Sequence, residues 1–275
     1  MSITIPEPPT SPLSRLRWAL ADGWTVTLRG LTHWTREPGT VISAMLFPVM
    51  MVLMFGYFLG GAMQVPGGGD YREFLTPGMF VMTMVFGMGE TVAAVAADKN
   101  RGVTSRFRSL PMAPSAVLVG RCVTDMLTSV LGLAVLFAVG LLIGWDAHGT
   151  AGQTAGAVGL LLLLRFALTW VGIYLGLLMK GPEGITMVQT LEFPVGFLTS
   201  AFVAPATMPG WLGTLAEWNP LSSTVAATRE LFANPGWGGD SWIAQHATLM
   251  AVVWPAVLFA VFFPLAVNRY GNLTN

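Results

Sequence analysis

The chain has 275 residues, 53% hydrophobic and only 10% charged, with no net charge at neutral pH. A water-soluble domain carries about 25% charged residues, so a soluble globular protein is excluded and lipid must be much of the solvent. A lone cysteine, Cys122, stands in an apolar run, which excludes an internal disulfide framework and reads as a small buried hydrophobe.

In chain order, residues 1–12 are polar and proline-rich (Pro6, Pro8, Pro9, Pro12) and lack the layout of a secretory signal. They read as a disordered cytoplasmic tail. Over 13–38, Arg15, Asp22, Arg29 and Arg36 recur every seven residues on one helical stripe, while Leu13, Leu16, Leu20, Trp24, Leu31 and Trp34 fall opposite. That pattern predicts an amphipathic helix lying in the membrane interface. Gly23 and Gly30 weaken it. The remainder, 39–275, is one transmembrane domain.

A helical crossing needs about 20 apolar residues. Six stretches qualify, at 41–62, 77–97, 116–144, 157–179, 185–204 and 243–267. The fifth contains Glu192 and Pro194 and fades into the region after it. The sixth contains Pro255 and Pro264, so a bent helix is expected. With the N-terminus inside, eleven of the fourteen cations fall on the cytoplasmic side: Arg15, Arg17, Arg29, Arg36, Lys99, Arg101, Arg106, Arg108, Arg121, Lys180 and Arg269. The inverted topology would break the positive-inside rule. External segments are then 63–76, 145–156 and 205–242. In the last, Pro205, Pro209, Pro220 and Pro235 cut the chain into pieces too short to cross, and Trp211, Trp218 and Trp237 suit an interface. The fold expected is an all-α membrane protein with six transmembrane helices, an interfacial helix before the first and a re-entrant pair before the last.

The segment 98–115 (DKNRGVTSRFRSLPMAPS) joins the second and third crossings. Gly102 permits a turn, Phe107 and Leu110 offer apolar knobs, and Pro111 and Pro114 end the piece. A short element carrying apolar and cationic side chains can seat in a groove on a partner. Its charges also suit plain contact with lipid headgroups. Glu90, Asp125, Arg165 and Glu192 lie within crossings, where an ionised group is costly and marks a protein-facing or water-facing position. Glu90, Asp125 and Glu192 count to roughly 10 Å from the cytoplasmic face at about 1.5 Å per residue, with Arg165 nearer the outer half. A Glu90–Arg165 pair is feasible, and Glu90 and Glu192 are candidates to line an inner vestibule. The methionines of the first two crossings suit either a polyspecific surface or gap filling.

Several chemistries are missing. Neither lysine, Lys99 or Lys180, stands in a Walker A motif. His33, His148 and His246 are scattered without metal-ligand spacing. No catalytic dyad stands out.

The order Asp98-x-x-Arg101-Gly102, then Phe107-Arg108-x-Leu110-Pro111, is similar to the E-R-x-x-G…L…P segment of type-2 ABC exporter permeases, the daunorubicin-resistance-type drug exporters among them. Arg106 lies inside the same segment. Asp98 departs from the pattern, since many relatives carry glutamate there. The stretch 197–231 resembles the family's signature after its fifth span, at Phe197, Pro205, Pro209, Trp211, Asn219, Pro220, Leu221 and Arg229. The likeness covers nearly the whole chain. It implies a permease subunit without catalytic residues, metal or cofactor of its own. Its partners would be two copies of a separate subunit that binds ATP and Mg, and a second permease chain, identical or related, within the lipid bilayer. No nucleic acid is implied. Asp98 to Pro111 would dock on the ATPase, 205–235 would dip into the outer leaflet, and the cargo would be a hydrophobic or amphipathic drug, antibiotic or lipid. The abundance of arginine over lysine, with Ala and Gly, points to a high-GC bacterium and so to its plasma membrane, both termini cytoplasmic. The alternatives are an ATP-independent carrier or channel, although no paired halves are visible, and a non-transporting assembly subunit.

Overall fold

Prolines and polar caps set the helix starts. The computed structural model describes residues 27–28, 32, 38–59, 68–102, 104, 114–236, 239 and 241–273. The tail 1–12 and most of the interfacial helix expected over 13–38 lie outside them, as do Arg106, Phe107, Arg108, Leu110, Pro111 and Trp237. Helix α1 (Pro38–Met54) opens on a proline and runs into a π turn, Phe55–Leu59. Helix α2 (Tyr71–Asn100) is capped by Asp70, whose carboxylate accepts the Arg72 N–H at 2.8 Å. Helix α3 (Pro114–Leu142) again opens on proline. Helix α4 (Ala151–Leu178) opens with a reciprocal capping box between Thr150 and Gln153. Then follow α5 (Pro182–Phe197), a 3₁₀ turn (Pro205–Thr207), α6 (Gly210–Trp218), α7 (Pro220–Leu231), α8 (Trp242–Gln245) and α9 (Ala247–Gly271).

Among the described residues, four helices are long and apolar enough to cross a membrane: Tyr71–Asn100, Val117–Leu142, Ala151–Leu178 and Ala247–Gly271. They answer to the second, third, fourth and sixth expected crossings. The first is shorter in its described part, an apolar helix over Met45–Phe58. The fifth departs furthest from expectation. Helix α5 has 16 residues, about 24 Å of helix against a hydrocarbon core of about 30 Å. The chain leaves the helix at Leu198 and turns through 198–204. The sixth expected crossing is met by α9, which stays helical through Pro255 and Pro264.

Helix α2 lies at the centre, with 61% of its apolar window buried against 17% for α9. Its closest partner is α4. There Gly172 and Gly176, four residues apart, let backbones meet: a Cβ on Gly176 would stand 2.8 Å from Val95 Cβ and 2.9 Å from the Val92 carbonyl. Small residues at such spacing drive helix pairing in lipid, where apolar burial alone supplies little force. Around the Asp70 end of α2, the core holds Phe74, Met79, Phe80, Met82, Leu136, Leu161, Phe202 and Phe232. Around the Lys99 end it holds Val95, Leu118, Cys122, Trp170, Ile173 and Tyr270. Cys122 is thus the buried small residue expected. Met79, Met82 and Met84 are fully buried gap fillers, while Met50 and Met54 on α1 are exposed. Helix α1 begins, and α9 ends, at the Lys99 end.

Candidate functional site

Polar chemistry occupies three depths of the bundle, and α2 takes part in each. The first is the Asp70 end, where the chain gives up helix after Phe197. Backbone groups freed inside a membrane cost several kcal/mol each unless protein satisfies them. Two side chains do so. Asn219 Nδ2 donates to the carbonyls of Val195 (3.0 Å) and Leu198 (2.7 Å), while its Oδ1 accepts the Leu221 N–H at 3.0 Å. One amide therefore closes α5 and opens α7, with Pro220 at the first helical position. Arg229 is 1% exposed. Its Nε donates to the Phe74 carbonyl at 2.8 Å, and its Nη1 and Nη2 donate to those of Ser200 (2.8 Å) and Ala201 (2.9 Å). The guanidinium also lies 3.6 Å from the Phe74 ring centroid. Arg229 ties α7, the 198–204 turn and α2 together. Within the group expected at the re-entrant outer gate, Arg229 is a buried fastening.

The rest of that group divides. Pro205 is buried and starts the 3₁₀ turn, Pro209 precedes α6, and Trp211 is largely exposed. Helix α7 ends in a Schellman-type turn, with Asn234 N–H on the Arg229 carbonyl (2.9 Å) and Ala233 at a positive φ of 53°. The turn aims Asn234 at Trp145, whose Nε1 donates to Asn234 Oδ1 at 2.8 Å. Trp145 fills a nest of Phe80, Phe137 and Phe232 with ring centroids 4.9–5.2 Å away. Outside this plug, His148 Nε2 lies 2.9 Å from Glu73 Oε1. That bond raises the His148 pKa above its ordinary 6.5, with the Glu73 charge and then Asp146 adding to it.

The second depth is mid-bundle. Asp125 Oδ1 pairs with Arg121 Nη2 at 2.8 Å, and Asp125 Oδ2 accepts the Thr91 hydroxyl at 2.8 Å. Arg165 Nη2 donates to Thr91 Oγ1 (3.0 Å) and Nε to Ser129 Oγ (2.7 Å). The guanidinium lies over Gly87, where a Cβ would stand 2.9 Å from Cζ. Four of the five partners come from positions the helix period aligns: Arg121, Asp125 and Ser129 on α3, and Thr91 one turn past Gly87 on α2. The Glu90–Arg165 pair that the spacing makes feasible is not formed as an ion pair. Thr91 and Ser129 take the guanidinium instead, at the level of Asp125 rather than nearer one face. Glu192 is 5% exposed and lies against Gly89, while Glu90 beside it is exposed.

The third depth is the Lys99 end. Lys99 Nζ donates to the carbonyls of Leu177 (2.8 Å) and Met179 (2.9 Å), closing the last turn of α4. A cation belongs at a helix C-terminus. Asp98 lies in the last turn of α2. Arg101 caps α2, and Gly102 leaves it at φ +70°, its N–H on the Lys99 carbonyl at 3.1 Å.

These features define a multi-pass helical membrane protein with a charged seam between its helices. Residues 22–233 match the ABC-2 type transporter family, and the chain belongs to it. It is 32% identical to a daunorubicin resistance ABC transporter permease protein, DrrB1, of Streptomyces coeruleorubidus over 96% of this chain and 95% of that one. Over 81% of this chain and 75% of the other it is 25% identical to a doxorubicin resistance ABC transporter permease protein, DrrB, of Mycobacterium tuberculosis. It is 22% identical to a putative transport permease, ycf38, of Porphyra purpurea, over 74% and 70%. The chain is accordingly the transmembrane subunit of an ABC exporter and has no nucleotide site of its own.

Two outcomes follow. Arg229→Leu strands three carbonyls and should lower stability by about 3–5 kcal/mol, read as earlier unfolding in an SDS titration of mixed micelles. Arg229→Lys keeps the charge without the fork and should recover less than half. The His148–Glu73 bond contributes stability below pH 6.5, and that contribution is lost as pH rises through the elevated His148 pKa. The melting difference between wild type and His148→Gln should therefore be largest near pH 5.5 and vanish by pH 8.5.

Proposed function

We propose that this permease exports an amphipathic cargo across a bacterial plasma membrane, driven by a separate ATP-binding subunit seated against residues 98–115. The observation that carries the reading is the end of α2: Lys99, the residue that fastens α2 to the end of α4, lies in its last turn, and the sequence that follows holds Arg101, Arg106 and Arg108. A push delivered there acts on α2 and α4 together, because the two are joined by Lys99, by Arg165 and by glycine-mediated contact. Short α1 and α5 carry less of this bracing and are the elements free to move against the pair.

In this reading the Lys99 end faces the cytoplasm with both termini, as the cation distribution supports. Helices α1 and α5 complete six crossings, α1 continued by the π turn and α5 by the 198–204 turn. Helices α6 and α7 form the re-entrant pair in the outer leaflet, supported by their lengths of 9 and 12 residues and by the backbone fastening that Asn219 and Arg229 supply. Two permease chains, identical or related, pair with two ATPase copies that bind ATP and Mg. Relatives named for daunorubicin and doxorubicin resistance support a drug-like cargo.

The test is co-purification of a separate ABC-type ATP-binding subunit co-expressed with this chain. Arg106→Glu with Arg108→Glu should reduce recovery of the ATPase at least about tenfold, equivalent to about 1.4 kcal/mol of association. Unchanged recovery and unchanged export would contradict the reading.

A further inference from the structure

Three helices bring cations to the Lys99 end. Lys99 stands in the last turn of α2, Lys180 follows the C-cap of α4, and Arg269 stands in the last turn of α9. Packing gathers these ends: Val95 of α2, Leu177 of α4, and Ala266 and Tyr270 of α9 share one buried cluster. The charges that act on the Lys99 ammonium are Arg269 and Lys180, and both repel it. None of the three cations has an ion pair among the described residues. Lys99 gives two of its three N–H donors to the Leu177 and Met179 carbonyls, which leaves one. Arg269 Nε is sealed from solvent and has no hydrogen-bond partner, while Lys180 is exposed. Two carboxylates belong to the same end, Asp98 beside Lys99 in the chain and the exposed Glu183 in the first turn of α5. With Arg101 after α2, four cations face those two acids, so the balance is positive.

An apolar ridge leads to this cluster. Val257, Val261 and Leu265 of α9 are exposed and spaced by four, and Arg269 continues the row. Residues at that spacing form a continuous ridge on a helix. Only 17% of the apolar window of α9 is buried, so the ridge lies against hydrocarbon. A hydrocarbon chain resting on it ends at a guanidinium. Cations gathered between helices at a membrane surface recognise acidic headgroups.

We propose that the Lys99 end of α2, α4 and α9 binds an anionic phospholipid, its phosphate among Lys99, Lys180 and Arg269 and an acyl chain along Val257, Val261 and Leu265. The lipid relieves the repulsion on Lys99 and ties α9 to the α2–α4 pair. The site goes beyond the exporter reading, since it involves neither cargo nor ATPase. A zwitterionic headgroup carries its own cation into the cluster and binds less well. A soluble phosphate ester has the charge but nothing to lay on the ridge.

Native mass spectrometry of the detergent-purified full chain, titrated with dioleoyl phosphatidylglycerol or dioleoyl phosphatidylcholine, tests the site. The glycerol lipid should bind about tenfold or more tightly than the choline lipid. Lys180→Gln and Arg269→Gln should each weaken its binding about fivefold, and Arg269→Lys should restore most of the loss. Arg72→Gln, which removes a charge at the opposite end of α2, should change nothing. Glycerol 3-phosphate in large excess should not displace the bound lipid. Saturating phosphatidylglycerol should raise the melting temperature of wild type more than that of Arg269→Gln. The wild-type comparison of the two lipids needs no variant, so a variant that folds poorly does not obscure the result. Equal affinity for the two lipids overturns the proposal. So does equal weakening by Arg72→Gln and Arg269→Gln, which would mean that only total charge matters. Displacement by glycerol 3-phosphate would make this a soluble-anion site and would also overturn it.

Discussion

Three cations hold α2 to its surroundings, one at each depth. Arg229 grips its first turns, Arg165 lies over its middle, and its own Lys99 caps the helix beside it. In lipid the apolar surfaces of helices have little reason to prefer one another. A guanidinium or ammonium has a strong reason: outside its acceptors it faces hydrocarbon. The same requirement covers the backbone. A helix that stops inside the bundle, as α5 does after Phe197, leaves carbonyls that other groups must take. Asn219 and Arg229 meet that need, which explains why a polar segment such as α7, rich in serine and threonine, is the most deeply buried of the short helices.

The bracing is uneven, and the unevenness has a mechanical meaning. Helices α2 and α4 share backbone contact, an arginine and a lysine. Helix α5 touches the pair through Glu192 on Gly89, Gly196 on Met82 and the Phe193 ring on Phe86, and α1 through apolar side chains. Interfaces between packed elements switch between discrete arrangements more readily than braced cores deform. A force entering beyond Lys99 is thus expected to move α2 with α4 and to change their relation to α5. Switching of this kind requires contacts that differ between two states, and the weakly fastened face is where such contacts can change.

Much of this was legible in the residues. Charge depletion and apolar run lengths identify a polytopic helical protein, and prolines mark most helix starts. The spacing of Asp98, Arg101 and Gly102 and the signature through Asn219, Pro220 and Arg229 were enough to indicate the family. What those last residues do was not legible, because carbonyl partners such as those of Ser200 and Ala201 are defined only by the turn that exposes them. Arg165 pointed to a buried charge but misled as to its partner: a carboxylate is the obvious choice, and two hydroxyls at aligned helical positions proved better placed. The i, i+4, i+8 spacing of Arg121, Asp125 and Ser129 carried that signal. Trp145 and Lys99 gave none, since one reads as an interfacial tryptophan and the other as a cytoplasmic charge. Helix α5 was overextended because hydropathy continues past the point where backbone geometry turns.

The most direct test of the braced pair is a set of distances in the assembled complex. Spin labels at positions 97 and 178 report α2 against α4, and labels at 97 and 187 report α2 against α5, all with Cys122 replaced by alanine. On adding a non-hydrolysable ATP analogue, the first distance should change by less than about 2 Å and the second by about 5 Å or more, the scale of a one-turn shift between helices. A change at 97–178 as large as that at 97–187 would show that the pair is not a unit and would contradict the account.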